Sequence, residues 1–429
     1  MTGETGTLRL SAEDLEEDRF SRFRLITWWE QERLREANVL VIGAGALGNE
    51  ILKNLALLGV RRIIVADLDS IEYSNLSRSV LFRAEDVGRP KADAAAAAVR
   101  SLAPDAVIHP VNVNILSQLG LGVFGWADVI IAGLDNREAR LWINRCAWRM
   151  NRPWVDGAIE GISGVARVFL PGVAPCYECT LGETDWAILE KRLSCNLLTR
   201  EEMAGGKTPT TPTTSSVIAG IEVQEAVKLL HGLPVLAGKA FVFEGLRHTS
   251  YVTEYTENPD CMSHETFAGL VEHPGTSHET TLADLLAFAR ERLGSDEVTI
   301  EFSRDVIHKL VCPSCHEEQE LFAAVGTVSS AQGLCPADGT MREVVSLHSF
   351  NGEEDLAGRT LASLGLPPFD VFIARSEDRE LPVLIAGDRA AALGPLAPFP
   401  SQVWARVEHA CRSAQPVPEV ITTKEVIHV

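Results

Sequence analysis

The sequence predicts a doubly wound α/β fold with a mostly parallel sheet, followed by a smaller α+β module. The prediction depends on a strand of consecutive apolar residues, a glycine-rich turn directly after it, and a repeat of helices and strands that follows. Continuous apolar strands are typical of parallel sheets covered on both faces. The chain has 429 residues, 46% of them hydrophobic, which is enough for two or three domains with ordinary buried cores.

The apolar strand at residues 38–42 leads into a G-x-G-x-x-G sequence formed by Gly43, Gly45 and Gly48. This spacing allows a tight turn, the close approach of a phosphate, and packing of the next helix on the strand. That helix is expected over about residues 47–58, with its N-terminus directed at an anion. A second strand ends at Asp67, where an acid commonly binds ribose hydroxyls. The pattern predicts a nucleotide-binding βαβ unit, for which NAD is the commonest ligand.

Two further strands are expected near residues 107–113 and 127–133. Polar and charged side chains follow the carboxyl ends of these strands, the edge at which parallel sheets bind ligands. They are Asp67, Asp69, Asn75, Arg78, Lys91 and Asp135. A dehydrogenase does not need cations gathered on a phosphate chain or an acid placed for a metal, whereas an adenylating enzyme needs both. A dehydrogenase therefore ranks last among the candidate enzymes.

These stretches resemble the activating enzymes of ubiquitin-like proteins, a family that includes ThiF and the bacterial molybdopterin-pathway adenylyltransferases. The matching stretches cover most of residues 19–265 and are 41–58, 67–82, 88–92, 133–135, 140–144 and 161–170. The resemblance implies a Rossmann-like adenylation domain that uses ATP and Mg²⁺. It implies that Asp67 binds the ribose, that Asn75, Arg78 and Lys91 bind the phosphates, and that Asp135 holds the magnesium ion. Asn144 would be a packing residue or a neighbour of the adenylate.

The N-terminal arm, residues 1–36, reads as helical between residues 11 and 35. Taken alone, its arginines suit a solvated basic edge. By the resemblance, Arg22 reaches from a partner subunit into the ATP site, which implies a homodimer with two sites.

Cys176 and Cys179 form a C-x-x-C pair, and Cys261 and His264 form a C-x-x-H pair. Two such pairs make a closed, tetrahedral, structural zinc site. The family has a C-x-x-C pair at both positions, so His264 is a departure. The alternative is that the second pair binds no metal and Cys261 is simply buried.

Cys195 lies between these pairs, in a segment (180–216) that ends in a run of threonines and prolines at 208–216. That run is not expected to form regular helix. The resemblance implies that a cysteine in this segment takes the activated carboxyl group as a thioester, and Lys191 and Arg192 are the nearest groups that would lower its pKa. The alternative is an ordinary buried cysteine, which is what we expect of Cys146 and Cys411.

The adenylation domain is expected to cover residues 37–272 and a C-terminal module residues 280–411, with a tail at 412–429. The module reads as a β-grasp-like fold with a zinc-ribbon-like insertion at Cys312, Cys315 and Cys335. The fourth ligand of this second zinc is left open between Asp338, His316 and His348. In eukaryotic activating enzymes, a ubiquitin-fold domain at this end recruits the conjugating enzyme.

The net charge of −20 argues against a nucleic-acid partner, and no apolar run reaches the length of a membrane span. Cysteines in C-x-x-C pairs indicate reduced thiols and hence the cytoplasm. The resemblance implies adenylation of a ubiquitin-like protein, capture on Cys195, and transfer to a conjugating enzyme. It also implies a role in antiviral defence. A sulfur-carrier adenylyltransferase and a non-catalytic scaffold subunit are the alternatives.

Overall fold

The structure is a computed structural model that describes residues 18–193, 209–325, 327–352 and 355–413. Its first domain contains the strands β1 Asn38–Ile42, β2 Arg62–Ala66, β3 Val107–Val111, β4 Val129–Gly133, β5 Trp154–Glu160, β6 Ser163–Phe169, β7 Lys239–Glu244 and β8 Thr249–Glu254. They form one sheet in the order β3-β2-β1-β4-β5-β6-β7-β8. The first five strands are parallel and the last three continue the sheet antiparallel. The predicted α/β fold with its mostly parallel sheet is confirmed.

Helices cover both faces of this sheet. They are α1 Gln31–Glu36, α2 Ala46–Leu58, α3 Lys91–Leu102, α4 Leu121–Trp126, α5 Arg137–Arg149, α6 Glu183–Leu193 and α7 Pro212–His231. The apolar side chains of α2, α3 and α7 share one core with one face of the strands, and those of α4 and α5 share a second core with the other face. All five residues of β1 are buried for this reason. No described helix is both long enough and apolar enough to span a bilayer.

The C-terminal module has a sheet of its own. Its strands are β9 Val271–His273, β10 Thr299–Val311, β11 Glu318–Ala324, β12 Glu343–Phe350, β13 Val371–Arg375 and β14 Glu380–Ile385, in the order β11-β10-β13-β14-β9, with β12 also paired to β10. Helix α8 Leu282–Leu293 packs on this sheet, and three shorter helices follow: α9 Ser330–Gly333, α10 Arg389–Leu393 and α11 Val403–Ser413. The longest of these strands is β10, whose register against β12 shifts between Glu301 and Val306.

The module docks on the α4–α5 face of the first domain. Asp370 accepts a hydrogen bond from the Leu121 amide at 2.9 Å, and Arg304 donates to the Leu119 carbonyl at 3.1 Å. The approach is close, because a Cβ added at Gly120 would lie 2.3 Å from the Pro368 carbonyl oxygen. The two sheets are therefore held together by backbone contact as well as by side chains.

The last helix that the structure describes, α11, belongs to the first domain and not to the module in which the sequence placed it. Val403, Trp404, Val407 and Cys411 of α11 lie in the same core as α2 and α7. The Trp404 indole donates to the Asn151 carbonyl at 3.0 Å. The boundary expected at residue 411 is thus wrong, because the apolar face of α11 is buried against the first domain.

The helix expected at 11–35 is correct from Gln31 onward, where α1 lies, and is wrong for the described residues 18–30. From residue 18 the chain forms turns and a single 3₁₀ turn at Phe23–Leu25, and α1 begins only at Gln31. Asp18 accepts a hydrogen bond from the Phe20 amide at 2.8 Å, which favours a turn over a helix. Phe20 is then buried over Gly59, where an added Cβ would lie 2.6 Å from the ring.

A third difference concerns the threonine–proline run. Residues 212–216 form the first turns of α7, with Thr211 as the N-cap and Pro212 at the first helical positions. Proline suits that position because its fixed φ is helical and the first amides of a helix have no partner within it. The expectation that 208–216 cannot be helical is wrong from residue 212 onward.

Candidate functional site

A cavity of about 1330 Å³ lies at the carboxyl edge of the parallel strands. The sequence predicted that two loop glycines and a set of charged and polar residues lie at this edge, and all of them line the cavity. They are Gly43 and Gly45, and Asp67, Asp69, Asn75, Arg78, Lys91 and Asp135. The cavity continues over the antiparallel strands β6 and β7, where Val165, Val242 and Phe243 line it. The wall formed by β6 and β7 thus adds apolar side chains to the cavity, together with the charged Arg167 and Glu244.

The glycine-rich loop forms the turn between β1 and α2. Gly43 has a φ of +93°, and a Cβ there would lie 2.6 Å from the Gly133 carbonyl oxygen. A Cβ at Gly48 would lie 1.9 Å from the Gly43 carbonyl oxygen, so Gly48 permits the packing of helix on strand and does not line the cavity. Gly45 is the N-cap of α2, and its Cβ position has open space around it. The N-terminus of α2 is thus exposed to the cavity, where it favours a negatively charged group.

Asp67 is held in place by this loop. Its carboxylate accepts hydrogen bonds from the Ala44 amide at 2.6 Å and the Asp69 amide at 2.8 Å. Burial raises the pKa of Asp67, while the nearby Lys91 acts in the opposite direction. The hydrogen bonds from the Ala44 and Asp69 amides fix the Asp67 carboxylate beside the glycine loop, where it can accept further hydrogen bonds.

Lys91 begins α3 and its ammonium group is 2.7 Å from the Asp69 carboxylate. Arg78 follows a 3₁₀ turn at Tyr73–Ser77, and its guanidinium donates to the Ser74 carbonyl at 2.8 Å. Asn75 in the same turn is buried, and its side-chain oxygen accepts from the Glu72 amide at 2.9 Å. Two cations and one amide are therefore presented to the cavity from two neighbouring segments.

Asp135 lies just beyond β4, with its side chain exposed at the cavity. The next residue, Asn136, caps α5 by accepting from the Ala139 amide at 2.7 Å. An exposed carboxylate at the mouth of a cavity that also holds two cations offers the oxygen ligand that Mg²⁺ prefers.

The sequence did not identify a buried ionic cluster that supports the cavity floor. Arg140 donates to Asp156 at 2.7 Å and to the Gly157 carbonyl at 3.0 Å, and Arg167 donates to the other oxygen of Asp156 at 2.9 Å. Arg140 and Arg167 line the cavity, whereas Asp156 is fully buried. In the sequence, Asp156 and Arg167 are single charged residues in the otherwise apolar segments 153–159 and 161–170. This pattern does not reveal that the two side chains pair.

Arg22 does not line the cavity of its own chain. Its arm is anchored at the far end of α2, where Arg19 donates to the Ala56 carbonyl at 2.9 Å. Ala56 lies 10 residues after Ala46, the first residue of α2, so about 15 Å of helix separates this anchor from the glycine loop. Asn144 is also outside the cavity: it is fully buried, and its oxygen accepts from the Tyr177 amide at 3.0 Å, so it is a packing residue.

Cys195 lies outside the described residues. The cavity is lined by three described residues of the same 180–216 segment: Leu181 and Asp185, which precede Cys195, and Thr210, which follows it. Thr210 bridges to Gly161, whose amide donates to the Pro209 carbonyl at 2.8 Å.

The first cysteine–histidine cluster is assembled as expected. The ligand atoms of Cys176, Cys179, Cys261 and His264 all lie within 4.8 Å of one another. Cys176 Sγ is 3.8 Å from Cys179 Sγ and 3.5 Å from Cys261 Sγ, and Cys179 Sγ is 3.3 Å from His264 Nε2. Sulfurs around a tetrahedral zinc ion lie about 3.8 Å apart, so the set fits zinc. Trp148 stacks on the His264 ring at 4.6 Å and fixes its orientation.

Comparison with known proteins agrees with this architecture. The model of the ThiF family matches residues 18–263, which include the glycine loop, the charged rim and the three cysteines of the first cysteine–histidine cluster.

The chain belongs to the ThiF family.

Among its relatives, this ThiF protein is 34% identical over 266 residues to the SAMP-activating enzyme E1 of Haloferax volcanii, a match that covers 59% of this chain and 90% of that protein. It is 44% identical over 156 residues to the NEDD8-activating enzyme E1 catalytic subunit of Arabidopsis thaliana, covering 33% of this chain and 34% of the relative. The chain thus spans about a third of the plant relative's length. A solved structure of E. coli MccB with MccA-N7isoASN has a TM-score of 0.49 at 22% identity, covering 60% of this chain and 77% of that one.

Proposed function

We propose that this ThiF protein adenylates the C-terminal carboxylate of a ubiquitin-like protein, takes the acyl group onto Cys195, and passes it to a conjugating enzyme. The observation that carries the proposal is the convergence of Asn75, Arg78, Lys91 and Asp135 on one cavity beside the glycine loop. The proposal is supported by the Haloferax relative, which is named a SAMP-activating enzyme E1 and is matched over 90% of its own length.

The cavity is suited to two substrates at once. Pockets for single ligands commonly have volumes of about 300–1000 Å³, and this cavity has about 1330 Å³. ATP would occupy the charged wall, with its ribose at Asp67 and its phosphates at Arg78, Lys91 and the N-terminus of α2. The extended C-terminus of the protein substrate would lie along the wall formed by β6 and β7.

In the proposed first step, a carboxylate oxygen attacks the α-phosphorus of ATP, forming an acyl-adenylate and releasing pyrophosphate. Mg²⁺ held at Asp135 would neutralise the charge that develops on the leaving pyrophosphate. Arg78 and Lys91 supply fixed positive charge to the same phosphates without reorganisation, which is how such groups lower a barrier. In the second step the Cys195 thiolate attacks the acyl carbon and AMP leaves, which gives a thioester.

The first cysteine–histidine cluster is proposed to bind a structural zinc ion, because its four ligand atoms leave no open coordination position. The cluster joins the Cys176–Cys179 turn, which precedes α6, to the loop at 261–264, which follows β8. The ion would thus fix the start of the segment that contains Cys195. We further propose that the C-terminal module is β-grasp-like, that the protein forms a homodimer, and that it acts in the cytoplasm in antiviral defence.

The proposal is tested by incubating the full chain with ATP, magnesium and small β-grasp proteins that end in glycine. Wild-type protein is expected to catalyse ATP–pyrophosphate exchange and to form a DTT-sensitive adduct. Asp135→Ala should abolish exchange, whereas Cys195→Ala should retain exchange and lose the adduct. The matched control is Asp105→Ala, a carboxylate paired with Arg61 just before β3, at the opposite edge of the sheet.

The outcomes separate the alternatives. A normal adduct with Cys195→Ala would show that the thiol assignment is wrong. Exchange without any adduct, even in the wild type, would favour sulfur-carrier activation. An absence of exchange with every β-grasp protein, together with no ATP binding, would favour a scaffold subunit.

A further inference from the structure

The lobe formed by the outer ends of β10, β11 and β12 has little apolar core of its own. Its buried cluster consists of Ile307, Leu310 and Val328, with three partly buried side chains beside it. A core of this size is too small to fold a lobe alone, and natural proteins add a metal or a disulfide in such cases. The lobe therefore needs a further constraint, and its three cysteines are free.

Two turns of this lobe have the same backbone structure. In the first, the Cys312 amide donates to the Glu317 carbonyl at 2.9 Å, and the His316 amide donates to the Cys312 carbonyl at 2.9 Å. In the second, the Cys335 amide donates to the Thr340 carbonyl at 2.8 Å, and the Gly339 amide donates to the Cys335 carbonyl at 2.9 Å. His316 and Gly339 have positive φ, at +60° and +70°.

The correspondence extends to the side chains. The first turn has the sequence Cys-Pro-Ser-Cys and the second Cys-Pro-Ala-Asp, so Asp338 occupies the position that Cys315 has in the first. The first turn connects β10 to β11, and the second closes a short ladder in which Leu334 bridges to Met341. Arg342 ties the second turn to β11 by donating to Gln319 at 2.6 Å and to the Gln332 carbonyl at 2.8 Å.

The two turns face each other and bring four ligand atoms together. Those of Cys312, Cys315, Cys335 and Asp338 all lie within 4.8 Å of one another. Cys315 Sγ is 3.6 Å from Cys335 Sγ, and Cys312 Sγ is 3.8 Å from either oxygen of Asp338. These separations match a tetrahedral zinc ion with Zn–S bonds of about 2.3 Å and a Zn–O bond of about 2.0 Å.

Asp338 is also oriented for this task, because its Oδ1 accepts a hydrogen bond from the Thr340 amide at 2.9 Å. Such a bond fixes a ligating carboxylate in one direction. The other two residues that the sequence left open do not belong to the group. His348 is 2.6 Å from Asp305 between β10 and β12, and His316 is not among the residues whose ligand atoms approach one another.

We propose that Cys312, Cys315, Cys335 and Asp338 bind one zinc ion in a closed site that holds the lobe folded. All four positions are taken by protein, so the site is structural and leaves no position for a reacting group. It is separate from the ATP cavity and from the first cysteine–histidine cluster, and the inference does not depend on the proposed adenylation.

The first test measures bound zinc in the purified full chain by elemental analysis. Asp338→Ala and Cys335→Ser should each lower the zinc content by one ion per chain relative to wild type, whether or not the first cluster is loaded. His316→Ala and His348→Ala are the matched controls and should leave the content unchanged. Cys261→Ser removes a ligand of the other cluster, and combining it with Asp338→Ala should lower the content further. ATP–pyrophosphate exchange by Asp338→Ala should equal that of the wild type.

The second test covers the case in which Asp338→Ala misfolds. Asp338→Cys should retain the metal, because a thiolate is a softer ligand that zinc accepts readily. With cobalt in place of zinc, this variant should show a stronger thiolate-to-cobalt absorption than the wild type, since a fourth sulfur is bound. An unchanged cobalt spectrum, a full zinc content in Asp338→Ala, or loss of zinc in His316→Ala would each overturn the assignment.

Discussion

At the scale of single residues, Glu222 on α7 differs from the other buried charges. Its carboxyl group lies over Gly157, where an added Cβ would be 2.3 Å from Glu222 Oε2. Neither of its oxygens has a hydrogen-bond partner in the part of the chain that the structure describes. Both nearby arginines, Arg140 and Arg167, already donate to Asp156. Burial raises the pKa of Glu222 well above 4.5, and the charge of Asp156 acts in the same direction.

We expect Glu222→Gln to be more stable than the wild type at pH 8. The folded state keeps a proton on Glu222 that the unfolded chain loses above its usual pKa of 4.5. The stability due to neutral Glu222 is therefore fully present below that pH and is lost as the pH rises toward the folded pKa. Glutamine has a similar shape and does not ionise, so the advantage of the variant should vanish near pH 4.5. Urea unfolding at pH 5 and pH 8 measures this.

The matched control is Glu225→Gln on the same helix. Glu225 is buried too, but it accepts from the Leu236 amide at 2.9 Å and pairs with Lys228. Its replacement should lower stability at pH 8. If both variants lose stability equally at pH 8, Glu222 is ionised in the folded protein and the reasoning above is wrong.

At the scale of elements, α11 shows how an amphipathic helix near the end of the chain completes a distant core. Trp404 is 1% exposed and lies among residues of the first domain. Trp404→Ala should destabilise the protein by about 3–5 kcal/mol, because removing a large buried side chain leaves a cavity. Trp404→Phe keeps most of the apolar contact and loses the bond to Asn151, so it should cost about 1 kcal/mol.

The midpoint of urea unfolding, followed by a probe of the first domain, checks both variants. The effect should appear in the transition of the first domain, since α11 packs there. A loss confined to the transition of the C-terminal module would contradict this placement of the helix.

At the scale of the whole molecule, the arm that contains Arg22 lies at the end of α2 opposite the glycine loop. If Arg22 acts on the ATP site, it must act in a partner's site, as the proposed homodimer requires. Arg22→Ala and Asp135→Ala should each be inactive in ATP–pyrophosphate exchange. An equal mixture that exchanges subunits should regain about a quarter of the wild-type activity, because half of the dimers then have one complete site.

The control for this mixture is a chain with both substitutions, which cannot complete a site with either single variant. Mixtures that contain it should remain inactive. If the two single variants together are no more active than apart, Arg22 does not reach a partner's site.

The strand–glycine–helix unit and the charged rim could be predicted from the sequence because their determinants are local. The apolar run, the glycine spacing and the acid at the end of β2 each specify their own backbone, and parallel strands place their carboxyl ends at one edge. The pairing of Asp156 with Arg140 and Arg167 could not be predicted in this way. It depends on which strands are neighbours and on the burial of groups that look like surface charges in the sequence.

The sequence by itself determined the family, the strand–glycine–helix unit and the residues of the cavity rim, since spacing along a strand or helix decides on which edge a side chain lies. Only the tertiary structure decided that α11 belongs to the first domain and that Asp338 joins three cysteines. In each case the decisive contact joins residues far apart in the chain or depends on a backbone turn. No local pattern carries that information.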